Sequence, residues 1–199
     1  MSDIVRPPQP MILIKKHAPI VLAHDDPTTA PRDERNVIGN GRFENAEYEF
    51  ERLVPWGILY SHPQQHIELE KYKGGFSALI PRPLSLFQSI SAKSIETALT
   101  FRVSFKAKAS IAFVGEEQRH TEAKWKFTFQ TVTKEGVDLV VAGESCGNAW
   151  TEYSFDYRRS YTGPIVNSWF FIGVSPNDEP HPTDPKGVWV TDISIIPLD

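Results

Sequence analysis

The stretch TALTFRVSFKAKA (residues 97–109) alternates apolar and polar side chains almost without interruption. The apolar positions that would share one face are Leu99, Phe101, Val103, Phe105 and Ala107. Thr, Arg, Ser and Lys side chains stand between them. Because successive side chains of a β-strand point to opposite sides, a period of two predicts a strand with one face on the core and the other in water.

The same period returns in three other segments, KWKFTFQTV (residues 124–132), WTEYSFDY (150–157) and VWVTDISII (188–196). Turn-forming clusters lie between the runs, such as KEG (134–136), GESCGN (143–148) and SYTGP (160–164). No segment shows a helical period over ten residues. Short alternating strands divided by turns predict an all-β protein, built as a two-sheet antiparallel β-sandwich.

Composition limits the classes of function. A chain of 199 residues with 40% hydrophobic and 12% aromatic residues can bury a full core as one domain. The net charge of -4 and the lack of a long basic run argue against nucleic acid as a partner. A single cysteine, Cys146, cannot form an intramolecular disulfide framework.

Residues 1–35 are expected to form an extended N-terminal arm and linker. The apolar runs in MILIKKHAPIVLA (residues 11–23) are short and are divided by KKH, unlike a classical signal peptide or a membrane span. Pro19 and Pro27 oppose a helix, and the polar DDPTTAPRDER (25–35) resembles a connector. We therefore expect a domain at residues 36–199 and either a cytoplasmic protein or one exported by a non-classical route.

Two motifs raise the question of catalysis or metal binding. GESCG (residues 143–147) fits the G-x-S-x-G pattern of a serine nucleophile, with Ser145 at its centre. That motif requires a turn from a strand into a helix, whereas the residues that follow alternate like another strand. HPQQH (62–66) spaces His62 and His66 for one helix face, but no helical pattern follows. We expect a turn and a loop, and no enzyme.

The segment NVIGNGRFEN (residues 36–45) is unusually rich in Gly and Asn. Gly39 and Gly41 allow a close backbone approach, and asparagine side chains cap turns. The pattern predicts a tight entry into the first core strand, anchored by Phe43. Glu44 would then be solvated, or its carboxylate would be one ligand of a calcium ion.

This segment also resembles the N-terminal signature of jelly-roll carbohydrate-binding modules of the xylan- and glucan-binding type. Further segments resemble that family in the same order, and they are VPWGILY with Trp56, KGGFSALI (residues 73–80), LFQSISAKSIETALTFRVSFKAKAS (86–110), NAWTEYSFDY (148–157) and GVWVTDISI (187–195). The resemblance spans residues 36–199. It implies a galactose-binding-like jelly roll that recognises sugars without catalysis.

The resemblance further implies a structural calcium near the first and last strands. Glu44 would be a ligand, and Asp192 in the closing strand would supply a second carboxylate. The family commonly has Asp-Asp or Asp-Asn in the closing strand, and here the pair is Thr191 and Asp192, so Thr191 replaces the first carboxylate.

Sugar recognition also follows from side-chain chemistry. Aromatic rings stack on the apolar faces of pyranoses, and planar polar groups bind the hydroxyls. The residues expected to bind the ligand are Gln88, Tyr60, Trp125, Trp169 and Trp56. Trp150 and Trp189 are expected to pack in the core.

Two other functions remain open at this point. The first is a structural, adhesion, tail-fibre or toxin-associated protein that uses the sandwich for protein contacts. Its N-terminal arm would add a strand to a neighbouring chain. The second is a small hydrolase, but no acid/base pair or catalytic triad stands out. The carbohydrate-binding module is the leading hypothesis.

Overall fold

The computed structural model describes residues 13–22, 33–44, 55–59, 67–81, 84–110, 113–114, 117–118, 122–174 and 187–199. Within these ranges the chain forms fourteen strands and one short helix. In chain order they are β1 (Leu13–Lys16), β2 (Ile20–Val21), β3 (Gly57–Leu59), β4 (Glu68–Tyr72), β5 (Gly75–Pro81), β6 (Ser85–Ser89), α1 (Ala92–Ile95), β7 (Thr100–Ala109), β8 (Phe113–Val114), β9 (Glu117–Gln118), β10 (Ala123–Thr133), β11 (Val137–Cys146), β12 (Thr151–Arg158), β13 (Ile165–Val174) and β14 (Gly187–Pro197).

Most of the strands form two antiparallel sheets. Sheet A has the order β1-β12-β7-β14-β5-β4, with β2 also paired to β12, and sheet B has the order β11-β10-β13-β6-β3. Strands β8 and β9 form a separate two-stranded ribbon. The predicted all-β, two-sheet antiparallel sandwich is confirmed. In the described part of the chain, no helix is long and apolar enough to span a membrane.

The core lies between the inner faces of the two sheets. Phe101, Val103 and Phe105 of β7 are buried there, as the alternation predicted. The rings of Phe105 and Trp125 meet edge to face, with centroids 4.8 Å apart. Such aromatic pairs add about 0.5–1.5 kcal/mol to the free energy gained by burial alone.

The segment at residues 36–44 is hydrogen-bonded to strand β14 of sheet A. The Val37 amide donates to the Ile195 carbonyl at 2.9 Å, and the Ile193 amide donates to the Gly41 carbonyl at 3.0 Å. A side chain at Gly41 would overlap the Ile193 carbonyl, so glycine permits this close approach. Phe43 is completely buried and anchors the turn in the core.

The N-terminal strands lie on the open edge of sheet A. Strand β1 pairs with β12 over its whole length, and β2 pairs with the start of β12. Their apolar side chains stay largely in water, since Ile14, Ile20 and Val21 are 43%, 59% and 69% exposed. Part of the expected arm is therefore an edge strand of its own sandwich.

Candidate functional site

The outer face of sheet B presents a line of aromatic side chains. Strand β10 turns Trp125, Phe127 and Phe129 toward the core, so Thr128 and Gln130 face outward. The cross-strand register then determines which outward residues are neighbours.

Two rows of side chains cross this face. One row runs Leu139, Gln130, Trp169 and Ser89, and the next runs Val141, Thr128, Phe171 and Phe87. Each row crosses four strands, which is roughly 14 Å at the usual spacing between neighbouring strands. We call Trp169, Phe171 and Phe87 the aromatic strip.

The rings of the strip are partly open to solvent. Phe87 and Phe171 stack with centroids 5.9 Å apart and an angle of 29° between the ring planes. Gly57 on the neighbouring strand leaves room for Phe87, because a Cβ at that position would overlap the ring. All three strip residues are half-buried, so each of them retains exposed surface.

The edge strand β11 extends this surface. Val137, Leu139 and Val141 point outward and are 49%, 50% and 43% exposed. Beside them lies a cavity of about 430 Å³ lined mainly by residues of β10 and β11, among them Lys124 and Lys126. The face thus combines apolar and aromatic surface with amide, hydroxyl and ammonium groups. This combination suits the apolar ring faces and the hydroxyl groups of sugars.

The residues predicted to bind the ligand are only partly on this face. Trp169 is a member of the aromatic strip. Gln88 is 3% exposed, and its amide group makes two hydrogen bonds of 2.8 Å, accepting from the Gly39 N–H and donating to the Gly39 carbonyl. Gln88 therefore fastens the segment at residues 36–44 to sheet B.

The other predicted ligand residues lie elsewhere. Trp125 has no exposed surface and packs in the core, where its ring cannot stack on a sugar. Trp56 is 7% exposed, and its indole Nε1 donates to the Asn40 carbonyl at 3.0 Å. Tyr60, like His62 and His66, lies outside the described residues.

Of the residues in the two rows, the sequence predicted only Trp169, and the missed ones include Phe87, Phe171 and Gln130. The alternation in KWKFTFQTV does contain a usable signal, because it places Gln130 opposite the face that holds Trp125. The expectation that Trp150 and Trp189 belong to the core was wrong. Both are half-buried and are absent from the core cluster.

The expected calcium region contains a different arrangement. Asp192 lies at a bulge of β14, with a positive φ of 52°. Its Oδ1 accepts from Arg42 Nε at 2.6 Å, and its Oδ2 accepts from Lys106 Nζ at 2.7 Å. These three side chains are 12% to 20% exposed.

This arrangement does not fit a calcium ion at Asp192. Both carboxylate oxygens already bind cationic groups, which would repel a divalent cation placed beside them. The Glu44 amide donates to the Asn40 side chain at 2.7 Å, so Asn40 caps this turn. Among the described residues, no group of three His, Cys, Asp or Glu side chains could hold a metal.

The G-x-S-x-G motif lies in regular sheet. Ser145 belongs to β11 and stands opposite Lys124 in the ladder with β10. The chain continues into β12 with no helix between residues 137 and 158. The neighbouring Cys146 is buried, and burial raises the pKa of its thiol to about 12. The segment lacks the strand-to-helix turn that exposes a serine nucleophile.

Comparisons with solved structures show the same type of fold. No family model and no curated protein matches the sequence. The N-terminal CBM22-1–CBM22-2 tandem domain from Paenibacillus barcinonensis matches with a TM-score of 0.54 and 11% identity, covering 89% of this chain and 52% of that one. The CBM22-1–GH10 modules of Clostridium thermocellum endo-1,4-beta-D-xylanase 10B, complexed with xylohexaose, give 0.55 and 15%, with coverages of 84% and 29%.

A phage protein has a similar fold. The enzymatically active domain of tailspike protein 4 of bacteriophage CBA120 gives a TM-score of 0.53 and 14% identity, covering 82% of this chain and 21% of that one. The chain thus spans about half or less of each structure. These matches confirm the predicted sandwich fold of carbohydrate-binding modules, and at such low identity they establish the fold alone.

Proposed function

We propose that this protein is a non-catalytic carbohydrate-binding protein that holds a polysaccharide or glycoconjugate on the outer face of sheet B. The observation that carries the proposal is the aromatic strip with Gln130 and Thr128 beside it. Globular domains normally bury large aromatic side chains, so a row of partly exposed rings indicates a ligand surface.

The chemistry of the face favours a sugar. Trp169 offers a ring for stacking, and its cross-strand neighbours Gln130 and Ser89 offer an amide and a hydroxyl. A pyranose needs both kinds of partner, because its ring face is apolar and its rim carries hydroxyl groups. The rows cross several strands, which suits a chain of sugars better than a single unit.

The test is affinity electrophoresis of the full chain in gels that contain soluble xylan or mixed-linkage glucan, followed by titration with xylohexaose. Xylohexaose is the first probe because the clostridial structure of similar fold was solved with it. We expect retardation by at least one polysaccharide. Trp169→Ala should weaken binding at least about tenfold, which corresponds to about 1.4 kcal/mol.

Ile20→Ala is the matched control, because Ile20 is an exposed apolar side chain of sheet A. It should bind like the wild-type protein. If Trp169→Ala and the wild type bind equally well, the aromatic strip does not bind the sugar and the proposed site is wrong.

A second function is favoured by one specific observation. Strand β11 is one of the two edge strands of sheet B, and its outward positions Val137, Leu139 and Val141 carry no charge that would discourage pairing with another chain. This edge suits a structural or adhesion protein. Two results together would favour this alternative. The protein would bind no sugar on a broad glycan array, and it would self-associate at high concentration in a way that Leu139→Lys abolishes.

A further inference from the structure

A second aromatic cluster lies on the outer face of sheet A. Tyr72 belongs to β4, and Trp150 immediately precedes β12. Strands β5, β14 and β7 separate β4 from β12 in the sheet. Nevertheless the two rings meet, with centroids 4.5 Å apart and an angle of 48° between them. They therefore approach each other across the outer surface of the sheet.

A lysine side chain lies close to each of these rings. Lys108 points outward from β7, since its neighbours Ala107 and Ala109 are buried in the core. Its Nζ lies 4.9 Å from the centroid of Trp150 and 5.8 Å from that of Trp189. On the other side, Lys73 Nζ lies 5.7 Å from the Tyr72 ring.

The cluster borders a cavity of about 370 Å³. Its lining includes Lys71, Lys73 and Lys108 against one carboxylate, Glu70, and it also includes the amide of Asn148. Three positive charges and one negative charge give a local charge of +2, in a chain whose net charge is -4. In the part of the chain that the structure describes, no carboxylate pairs with Lys108.

We propose that this cavity is a second carbohydrate site, specific for a sugar that carries a carboxylate. The apolar ring face of a uronic acid suits the aromatic pair Tyr72 and Trp150. Its carboxylate suits the ammonium group of Lys108, because a partly desolvated charge gains most from an ionic partner. A neutral sugar would offer that ammonium group no ionic partner.

This site is independent of the one on sheet B. The aromatic strip and the cavity lie on outer faces of different sheets, hence on opposite sides of the sandwich. The two proposals can therefore be tested independently, because Trp169 variants test the site on sheet B and Lys108 variants test the cavity on sheet A.

The experiment titrates the full chain with oligogalacturonate, with an oligosaccharide that contains glucuronate, and with neutral oligosaccharides of the same length. We expect tighter binding of at least one acidic ligand, weakened by salt. Lys108→Met should reduce that affinity about tenfold or more, whereas Lys108→Arg should largely preserve it. Trp169→Ala should leave it unchanged.

Lys93→Met is the charge control, because Lys93 is exposed on α1. It should bind acidic sugars like the wild type. If Lys108→Met does not fold, Lys73→Met provides the same test at the rim of the cavity. The proposal is overturned if acidic sugars do not bind, if neutral sugars bind equally well, or if Trp169→Ala rather than the lysine variants abolishes acidic-sugar binding.

Discussion

The Asp192 carboxylate lies between two cations of the protein itself. Arg42 precedes it by 150 residues and Lys106 by 86 residues, and each contributes one short charge-assisted hydrogen bond. The positive charge beside this carboxylate thus comes from side chains. Side-chain cations can therefore match the charge of this closing-strand carboxylate in place of a metal ion.

At this scale we predict that calcium and a chelator leave the melting temperature unchanged. A native state that bound the ion would instead gain about 2.7 kcal/mol at a hundredfold excess over Kd. Lys106→Met should lower the free energy of unfolding by about 1–3 kcal/mol, because it removes a partner of a poorly exposed charge. Urea titrations with and without calcium measure both effects.

Lys93→Met is again the control and should change the free energy of unfolding by less than about 0.5 kcal/mol. The opposite result is a melting temperature that falls with chelator and recovers with calcium. It would contradict the view that Arg42 and Lys106 alone neutralise Asp192, and it would indicate that Glu44 and Asp192 bind calcium.

Among the elements, β1 and the residue that follows it contact the sandwich through ion pairs as well as through the backbone ladder with β12. His17 Nε2 lies 2.9 Å from Asp156 Oδ2, and Lys16 Nζ lies 2.6 Å from Glu144 Oε2. Arg102 donates twice to Asp156, at 2.7 and 3.0 Å. The hydrogen bonds from Arg102, assisted by His17, lower the pKa of the Asp156 carboxyl below its ordinary 3.8.

A carboxyl whose pKa is lower in the folded state adds stability above its ordinary pKa and loses it as the pH falls through the lowered value. We therefore expect the amides of β1 to exchange hydrogen faster in acid, below about pH 4, than at neutral pH after correction for intrinsic rates. Hydrogen-exchange mass spectrometry measures this protection.

Asp156→Asn isolates the contribution of this carboxyl, because it removes the charge of Asp156 and leaves the Lys16–Glu144 ion pair in place. The variant should loosen β1 already at neutral pH. Unchanged protection of β1 in Asp156→Asn would show that the backbone pairing with β12 suffices to hold the strand.

For the whole molecule, the domain boundary depends on where the core begins. Ile38 is 5% exposed and Phe43 is fully buried, whereas the apolar side chains of β1 and β2 are largely exposed. We predict that a chain lacking residues 1–34 still melts cooperatively. It should also self-associate more at high concentration, because β12 becomes the open edge of sheet A. Calorimetry and sedimentation velocity measure the two effects.

The full-length chain is the reference for both measurements. Loss of the cooperative transition on truncation would show that β1 and β2 belong to the folding unit. The domain would then begin near residue 13 rather than near residue 36.

The local alternation of side chains was sufficient to predict the all-β class and the strand character of β7, β10, β12 and β14, and the turn chemistry of residues 36–45 predicted the burial of Phe43. Strand period and turn chemistry are properties of a few consecutive residues, so they can be read without knowledge of the partner strand. The same alternation also places Trp125 with Phe127 and Phe129, hence in the core.

Only the tertiary structure decided which distant side chains meet. Trp169 lies beside Gln130 because of the β10–β13 register, and Tyr72 reaches Trp150 only through the order of the strands in sheet A. A shift of one residue in register would turn every side chain of a strand to the other face. Sheet order and register depend on long-range pairing, and for that reason the two candidate sites could not be located from the sequence alone.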